Sequence, residues 1–231
     1  MTLSKRLTPT LLTDQVYAAL REAIMSGELP PGSRLRVRDI AEQVGTSVMP
    51  VREAIRRLEE AGLAAREPHK GAVVKALTLE ELVHVYDVRK VLEGEAARLG
   101  AERITVEECE RMQAEFDAVV AAIRDRHAIG LLDHDEAMLT VLYTASGNPV
   151  LVDTIQTLWR HCRAYKIVGA QGSLDAGDTD LLWRYQEDLL AAARAQDAAA
   201  ALAVSDASLD DATQRVRAQL AEQNGTTPVG A

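Results

Sequence analysis

The sequence predicts a mainly α protein in two parts, a winged helix-turn-helix domain over residues 1–75 and a six-helix bundle over residues 76–231. Three observations carry this. Apolar residues recur at helical spacing along most of the chain. Aromatic residues make up only 3% of the 231 positions, and alanine is abundant, which suits closely packed helices better than a strand-rich sandwich. The charge is also unevenly divided. Residues 1–75 hold 12 Lys and Arg against 9 Asp and Glu, and the remainder holds 14 against 26. A net charge of −9 would argue against a polyanionic partner if it were evenly spread, but the division leaves room for one at the first part alone.

Residues 1–10 are polar and aperiodic and carry Lys5 and Arg6, so they read as a mobile arm, with minor-groove contact as the alternative. Thr13 opens a helix with Val16, Leu20 and Ile24 on one face, ending at Gly27. Leu29-Pro30-Pro31-Gly32 forces a turn. Arg36 to Val44 forms a second short helix with Ile40 and Val44 inward and Arg38 near its start. Gly45-Thr46 is the corner before the stretch on which the first part is organised, Gly45 to Leu63. In that stretch Ser47 offers a capping hydroxyl, Pro50 falls in the first turn where its missing N–H costs little, and Gly62 ends the helix. Val51, Ile55 and Leu58 form the inward stripe, which leaves Arg52, Arg56 and Arg57 free to face a ligand. Its N-terminus, with unpaired N–H groups and a positive dipole end, is a natural phosphate site. Two short helices across a glycine corner are the helix-turn-helix pattern. Leu63 to Arg66 and Ala72 to Lys75 then read as strands around Pro68-His69-Lys70-Gly71, a hairpin with cations at its tip, placed to touch flanking DNA backbone or minor groove.

From Thr78 onward the pattern is helical. Thr78 and Glu81, and again Thr105 and Glu108, carry the S/T-x-x-E capping signature. A third helix is expected from about Gly130 to Ser146, and a fourth from an Asn148 cap to about Val168. A glycine-rich acidic loop follows over 169–178, and helices over Thr179–Ala195 and Asp197 to about Glu222 complete six. A bundle of this kind holds ligands in its core. Cys109 and Cys162 read as buried or partly buried free thiols. No apolar run approaches a membrane span, and no charged start leads into an apolar stretch with a cleavage site, so a soluble cytoplasmic protein is expected.

GTSVMPVREAIRRLEEAGL and PHKGAVV resemble the recognition helix and wing of the GntR family of bacterial transcription regulators. Tyr86-Asp87-Val88-Arg89 with Leu92-Glu93, the ASGNP of residues 145–149, and Gln196-Asp197 in place of Gly-Asp are similar to landmarks of the family's FCD-type C-terminal domain, in its shorter, VanR-like branch. The resemblance implies that Arg38, Ser47 and Arg52 approach DNA, with Arg52 paired to guanine in the major groove and Ser47 serving phosphate. It also places His69, Lys70 and Gly71 at the wing tip. Val48 and Met49 stand where the family has Arg and Thr, so operator sequence or affinity should differ from the common site.

Many FCD domains hold a divalent metal on one aspartate and three histidines. Asp135 occupies the aspartate position here, whereas Leu139, Gln186 and Ser208 fall at the histidine positions, and Met138 stands for phenylalanine. Such a set suits a transition ion poorly, so no metal cofactor is expected. His84, His127, His134 and His161 are at other spacings, and His134 reads as a surface residue in a charged turn. Arg89 and Arg163 are candidates to hold an anionic effector, an organic acid, in the bundle; an internal ion pair of Arg89 with Glu93 or Asp135 is the competing reading. The resulting expectation is a homodimeric regulator, not an enzyme, that binds a palindromic operator in double-stranded DNA and senses a small molecule. The alternative is a metal-dependent enzymatic or metal-sensing bundle.

Overall fold

A computed structural model describes residues 10–25, 28–75 and 77–225. The arm expected at residues 1–10 lies outside the described residues except for Thr10, which already begins the first helix, three residues ahead of the expected Thr13; the helix end at Gly27 and the residues beyond 225 also lie outside them. The chain divides into two compact units, Met1–Ala76 and Leu77–Ala231.

The first unit holds helices α1 (Thr10–Met25), α2 (Val37–Gln43) and α3 (Val48–Glu60), then strands β1 (Ala64–Glu67) and β2 (Gly71–Val74). Val16, Leu20 and Ile24 of α1 meet Ile40 of α2 and Val51, Ile55 and Leu58 of α3 in one apolar cluster. These are the stripes that the helical spacing marks out. Val44 departs from expectation: it follows the last turn of α2 and is exposed, because Gly45 takes φ +66 there and turns the chain away from the core. Strands β1 and β2 are antiparallel, pairing Ala64 with Val74 and Glu67 with Gly71. They sit one residue from the expected bounds, because the turn is closed by His69 at φ 62 and Gly71 at φ 78. The far side of β2 is fastened too. Leu35 N–H donates to Ala72 O at 2.8 Å, and Val74 N–H donates to Ser33 O at 2.8 Å.

The second unit is a bundle of α4 (Leu79–Arg103), α5 (Val106–Arg124), α6 (Ala128–Ala145), α7 (Pro149–Ala176), α8 (Arg184–Arg194) and α9 (Ala198–Gly225), with a 3-10 turn at Asp180–Leu182. Both expected capping boxes are present, at Thr78 with Glu81 and at Thr105 with Glu108. Asn148 caps α7 by accepting from Leu151 N–H at 3.2 Å. Helix α4 lies along α9, and α5 along α6. Helices α4 and α6 approach closely, since a Cβ built on Gly100 would come within 2.1 Å of the Leu142 carbonyl oxygen. The main core gathers Ala96, Ala97, Met112, Phe116, Met138, Leu142, Ile155 and Trp159.

Two segments of the bundle differ in kind from the sequence reading. The expected loop at 169–178 is largely helix: α7 runs unbroken to Ala176 and ends at Gly177 with φ 75. Buried Ala170 and Leu174, one turn apart, hold this segment in an apolar cluster, and that packing overrides the weak helix propensity of Gly169 and Gly172. The expected helix over Thr179–Ala195 is instead a 3-10 turn followed by α8 from Arg184. Gln196, at the glycine position of the resembled motif, has φ 50, a left-handed conformation that glycine adopts at less cost. Its amide donates to Ile104 O at 3.1 Å, and Asp197 accepts from Ala200 N–H at 2.9 Å at the start of α9.

Candidate nucleic-acid interface and ligand cavity

The apolar stripe of α3 packs inward, so its other face must meet solvent or a partner. Ser47, Val48, Met49 and Arg52 are all exposed at its N-terminal end. Met49 is 69% exposed and its neighbour Val48 is exposed too, so this end of the helix presents apolar surface to solvent. Ser47 occupies the N-cap position but makes no side-chain cap hydrogen bond, which corrects the capping role expected of it. The first-turn N–H groups are thereby left available to an anion.

The arginines of α3 fall into two classes. Arg56 is clamped by Glu53, with Nε to Oε2 at 2.9 Å, and by Glu60. Arg57 pairs with Asp14 at 2.5 Å and lies over the Tyr17 ring at 4.4 Å. Arg52 and Arg38, both exposed, have no ion pair among the described residues. At the wing tip His69, Lys70 and Gly71 are all exposed, and Lys70 Nζ lies 2.7 Å from Glu67 Oε2. That pair is half solvated, so it yields readily to a phosphate.

The bundle holds a partly open cavity of about 530 Å³ lined by Arg89, Asp135, Leu139, Gln186 and Ser208 among others. Five of the six effector-site candidates thus meet in one place. The sixth, Arg163, is not in the lining; its Nη1 donates to Glu136 at 2.8 Å and its Nη2 to Asp133. Arg89 resolves to an ion pair with Glu93, Nε to Oε1 at 2.6 Å. Trp159 Nε1 donates to the same carboxylate at 2.9 Å and Tyr143 Oη at 3.3 Å. Burial opposes the charge on Arg89, but Glu93 more than offsets it and holds the guanidinium well above its ordinary pKa. Burial, with Glu93 adding to it, raises the Tyr143 phenol. Both arginines offered as anchors for an anion are therefore already neutralised by carboxylates.

Sequence reasoning missed Lys166. Its Nζ lies 3.4 Å from Asp135 Oδ2 and 3.5 Å from Glu136 Oε1. Burial works against this ammonium, yet the two carboxylates raise it above the usual lysine range. A signal was available: Ile155, Trp159, Cys162, Lys166 and Ala170 recur at helical spacing along α7, and a lysine on an otherwise apolar stripe calls for a partner. Gln186 Nε2 completes the group, donating to Asp135 Oδ1 at 2.8 Å.

The residues at this point do not fit a transition ion. Asp135 is engaged by an ammonium and an amide, and among the described residues no histidine lines the cavity with it. Among the described residues no three His, Cys, Asp or Glu side chains are grouped as a metal would require. His134 is on the body of α6 rather than in a turn, its Nδ1 2.8 Å from Glu115 Oε2. Both cysteines are buried and free. No described helix is long and apolar enough to cross a membrane.

Comparison with known proteins agrees with this geometry. Residues 12–74 match the model of the bacterial regulatory proteins of the gntR family, and residues 84–211 match the FCD domain. The probable D-xylose utilization operon transcriptional repressor of Paenarthrobacter nicotinovorans is 40% identical over 116 residues, 50% of this chain and 51% of that protein. The match thus spans about half the length of that relative. The regulator McbR of Escherichia coli K12 is 28% identical over 64% of this chain and 67% of its own length. The solved structure of E. coli McbR/YncC superposes with a TM-score of 0.75 at 23% identity, covering 93% of this chain and 100% of that one, which shows a shared fold. With a winged helix-turn-helix ahead of a six-helix FCD bundle, the chain belongs to the GntR family of bacterial regulatory proteins.

Proposed function

We infer that this protein is a ligand-responsive, DNA-binding transcription regulator that works in the cytoplasm as a homodimer. The observation that carries this reading is the exposed end of α3, where Arg52 has no ion pair among the described residues and shares the helix end with exposed Val48 and Met49 and with Ser47, which makes no side-chain cap hydrogen bond. Two copies of this helix enter successive major grooves of a palindromic operator in double-stranded DNA. Arg52 pairs with guanine, Arg38 and the wing tip at His69, Lys70 and Gly71 hold the flanking backbone, and Ser47 lies at phosphate. Val48 and Met49 contribute apolar contacts where the family has polar ones.

The bundle cavity receives the effector, with Asp135, Gln186, Ser208, Leu139 and Arg89 in its wall. An effector changes DNA affinity only by binding one arrangement of the dimer better than another. No catalytic role and no transition-metal cofactor are assigned to it, since Asp135 lacks the imidazole companions that such an ion favours. Mobility shift on the protein's own promoter region tests the reading. Specific binding that weakens steeply with salt is expected; binding that is absent, or indifferent to sequence, would sink it.

A further inference from the structure

We propose that the bundle cavity takes an uncharged, hydroxyl-rich small molecule of pentose or hexose size, anchored at Lys166, Asp135 and Gln186, with the lysine ammonium as the fixed cation of a site that needs no metal. This rests on the reading of the bundle as the effector-binding part.

The first support is electrostatic. The buried charges in the wall are already compensated, Arg89 by Glu93 at 2.6 Å and Lys166 by Asp135 at 3.4 Å, with Glu136 3.5 Å from the same ammonium. An entering carboxylate would shed its hydration and find only buried cations that already have partners, since Arg215, the other cation of the lining, is exposed and keeps its own hydration. An entering amine would meet buried carboxylates in the same condition, since Asp178, the other carboxylate of the lining, is exposed. A neutral ligand exchanges hydrogen bonds with water for hydrogen bonds with the wall, at far lower desolvation cost.

The second support is the polar inventory. Asp135 accepts from Gln186 Nε2, which fixes the orientation of that amide. Gln186 Oε1 is then left buried with no hydrogen-bond partner, a penalty that a donor relieves. Lys166 has three ammonium protons for two carboxylates, so it can donate one more bond. A hydroxyl group both donates and accepts, so it can serve the Gln186 oxygen and the Lys166 ammonium; an alkyl or thioether group serves neither. The ring of Tyr86 and the hydroxyl of Ser208 add apolar and polar surface to the same wall. Because the neighbouring carboxylates keep Lys166 protonated, the ligand is held by hydrogen bonds and not as an imine.

The third support is size. A cavity of about 530 Å³ falls within the range of small-molecule sites and admits a five- or six-carbon ligand.

The test uses the full-length protein in EDTA. Calorimetric titration is run with xylose, arabinose, ribose, glucose, galactose and their alditols, each beside the matching aldonate. At least one neutral member should bind without metal, about tenfold or more tighter than its aldonate. Lys166→Met or Gln186→Met should then weaken it by about tenfold or more. The neutral-against-anionic comparison needs no variant, so it decides the matter even if both substitutions unfold the bundle. Tighter binding of the aldonates, binding that appears only with added zinc or nickel, or no binding across the panel overturns the proposal. Promoter binding measured on the same preparation separates the two readings. A protein that shifts its promoter and ignores the panel retains the regulator function and loses this inference, and one that binds a sugar but no DNA does the reverse.

Discussion

The two units use arginine in opposite ways. In the first, Arg52 is exposed at the tip of α3 with no ion pair among the described residues, while Arg56 and Arg57 are tied to carboxylates around it. In the second, Arg89 is almost fully buried and serves an internal network of Glu93, Trp159 and Tyr143. An exposed unpaired cation adds little to folding and is available to a polyanion. A buried paired one is a structural commitment, since removing its partner strands a charge in low dielectric. The same side chain thus reads as an interface residue in one unit and an architectural one in the other.

The sharpest way to break this contrast is Glu93→Gln, which leaves Arg89 buried without its carboxylate. A loss of about 4 kcal/mol in urea unfolding is expected; less than about 1 would mean that Arg89 is not held as described. Next is Leu58→Ala at the centre of the first unit's core, expected to cost about 3 kcal/mol. Both tryptophans, Trp159 and Trp183, belong to the bundle. If the units fold independently, Leu58→Ala lowers the circular-dichroism midpoint for part of the helical signal and leaves the tryptophan fluorescence midpoint unchanged.

Arg52→Ala should leave unfolding untouched and cost about 1–3 kcal/mol of discrimination at one operator position, read by binding-site selection. An unchanged base preference would remove Arg52 from the reading role. Thr78→Ala removes the cap of α4 and should cost about 1 kcal/mol. At the bottom of the scale, Arg56→Ala should change neither the unfolding curve nor base preference, because its partners Glu53 and Glu60 lie on the same solvated helix face.

Legibility from sequence follows the same division. Helix α3 and its corners were legible because their signals are local: a stripe at Val51, Ile55 and Leu58, glycines at the corners, and polar residues left facing outward. The caps at Thr78, Thr105 and Asn148 were legible for the same reason. The cavity was only half legible. Its members Arg89, Asp135, Gln186 and Ser208 could be named by resemblance, but the partner that reassigns their chemistry, Lys166, is contributed by α7, and no local pattern states what a lysine on an apolar stripe will meet. The loop expected at 169–178 failed on a similar point, since two glycines are outweighed by a tertiary contact at Ala170 and Leu174 that sequence spacing alone does not weigh.

Those two glycines matter for what a ligand at Lys166 would meet under the proposed function. Because α7 is continuous for 28 residues, it is a rod of about 42 Å at 1.5 Å per residue, with Lys166 well inside it. A break at Gly169 would have turned the last two turns into a flexible tether that absorbs any displacement. Under the proposed function, an unbroken α7 would carry a displacement at the Lys166 ammonium to its Asn148 cap and its Gly177 terminus alike, giving a ligand in the cavity a lever longer than itself.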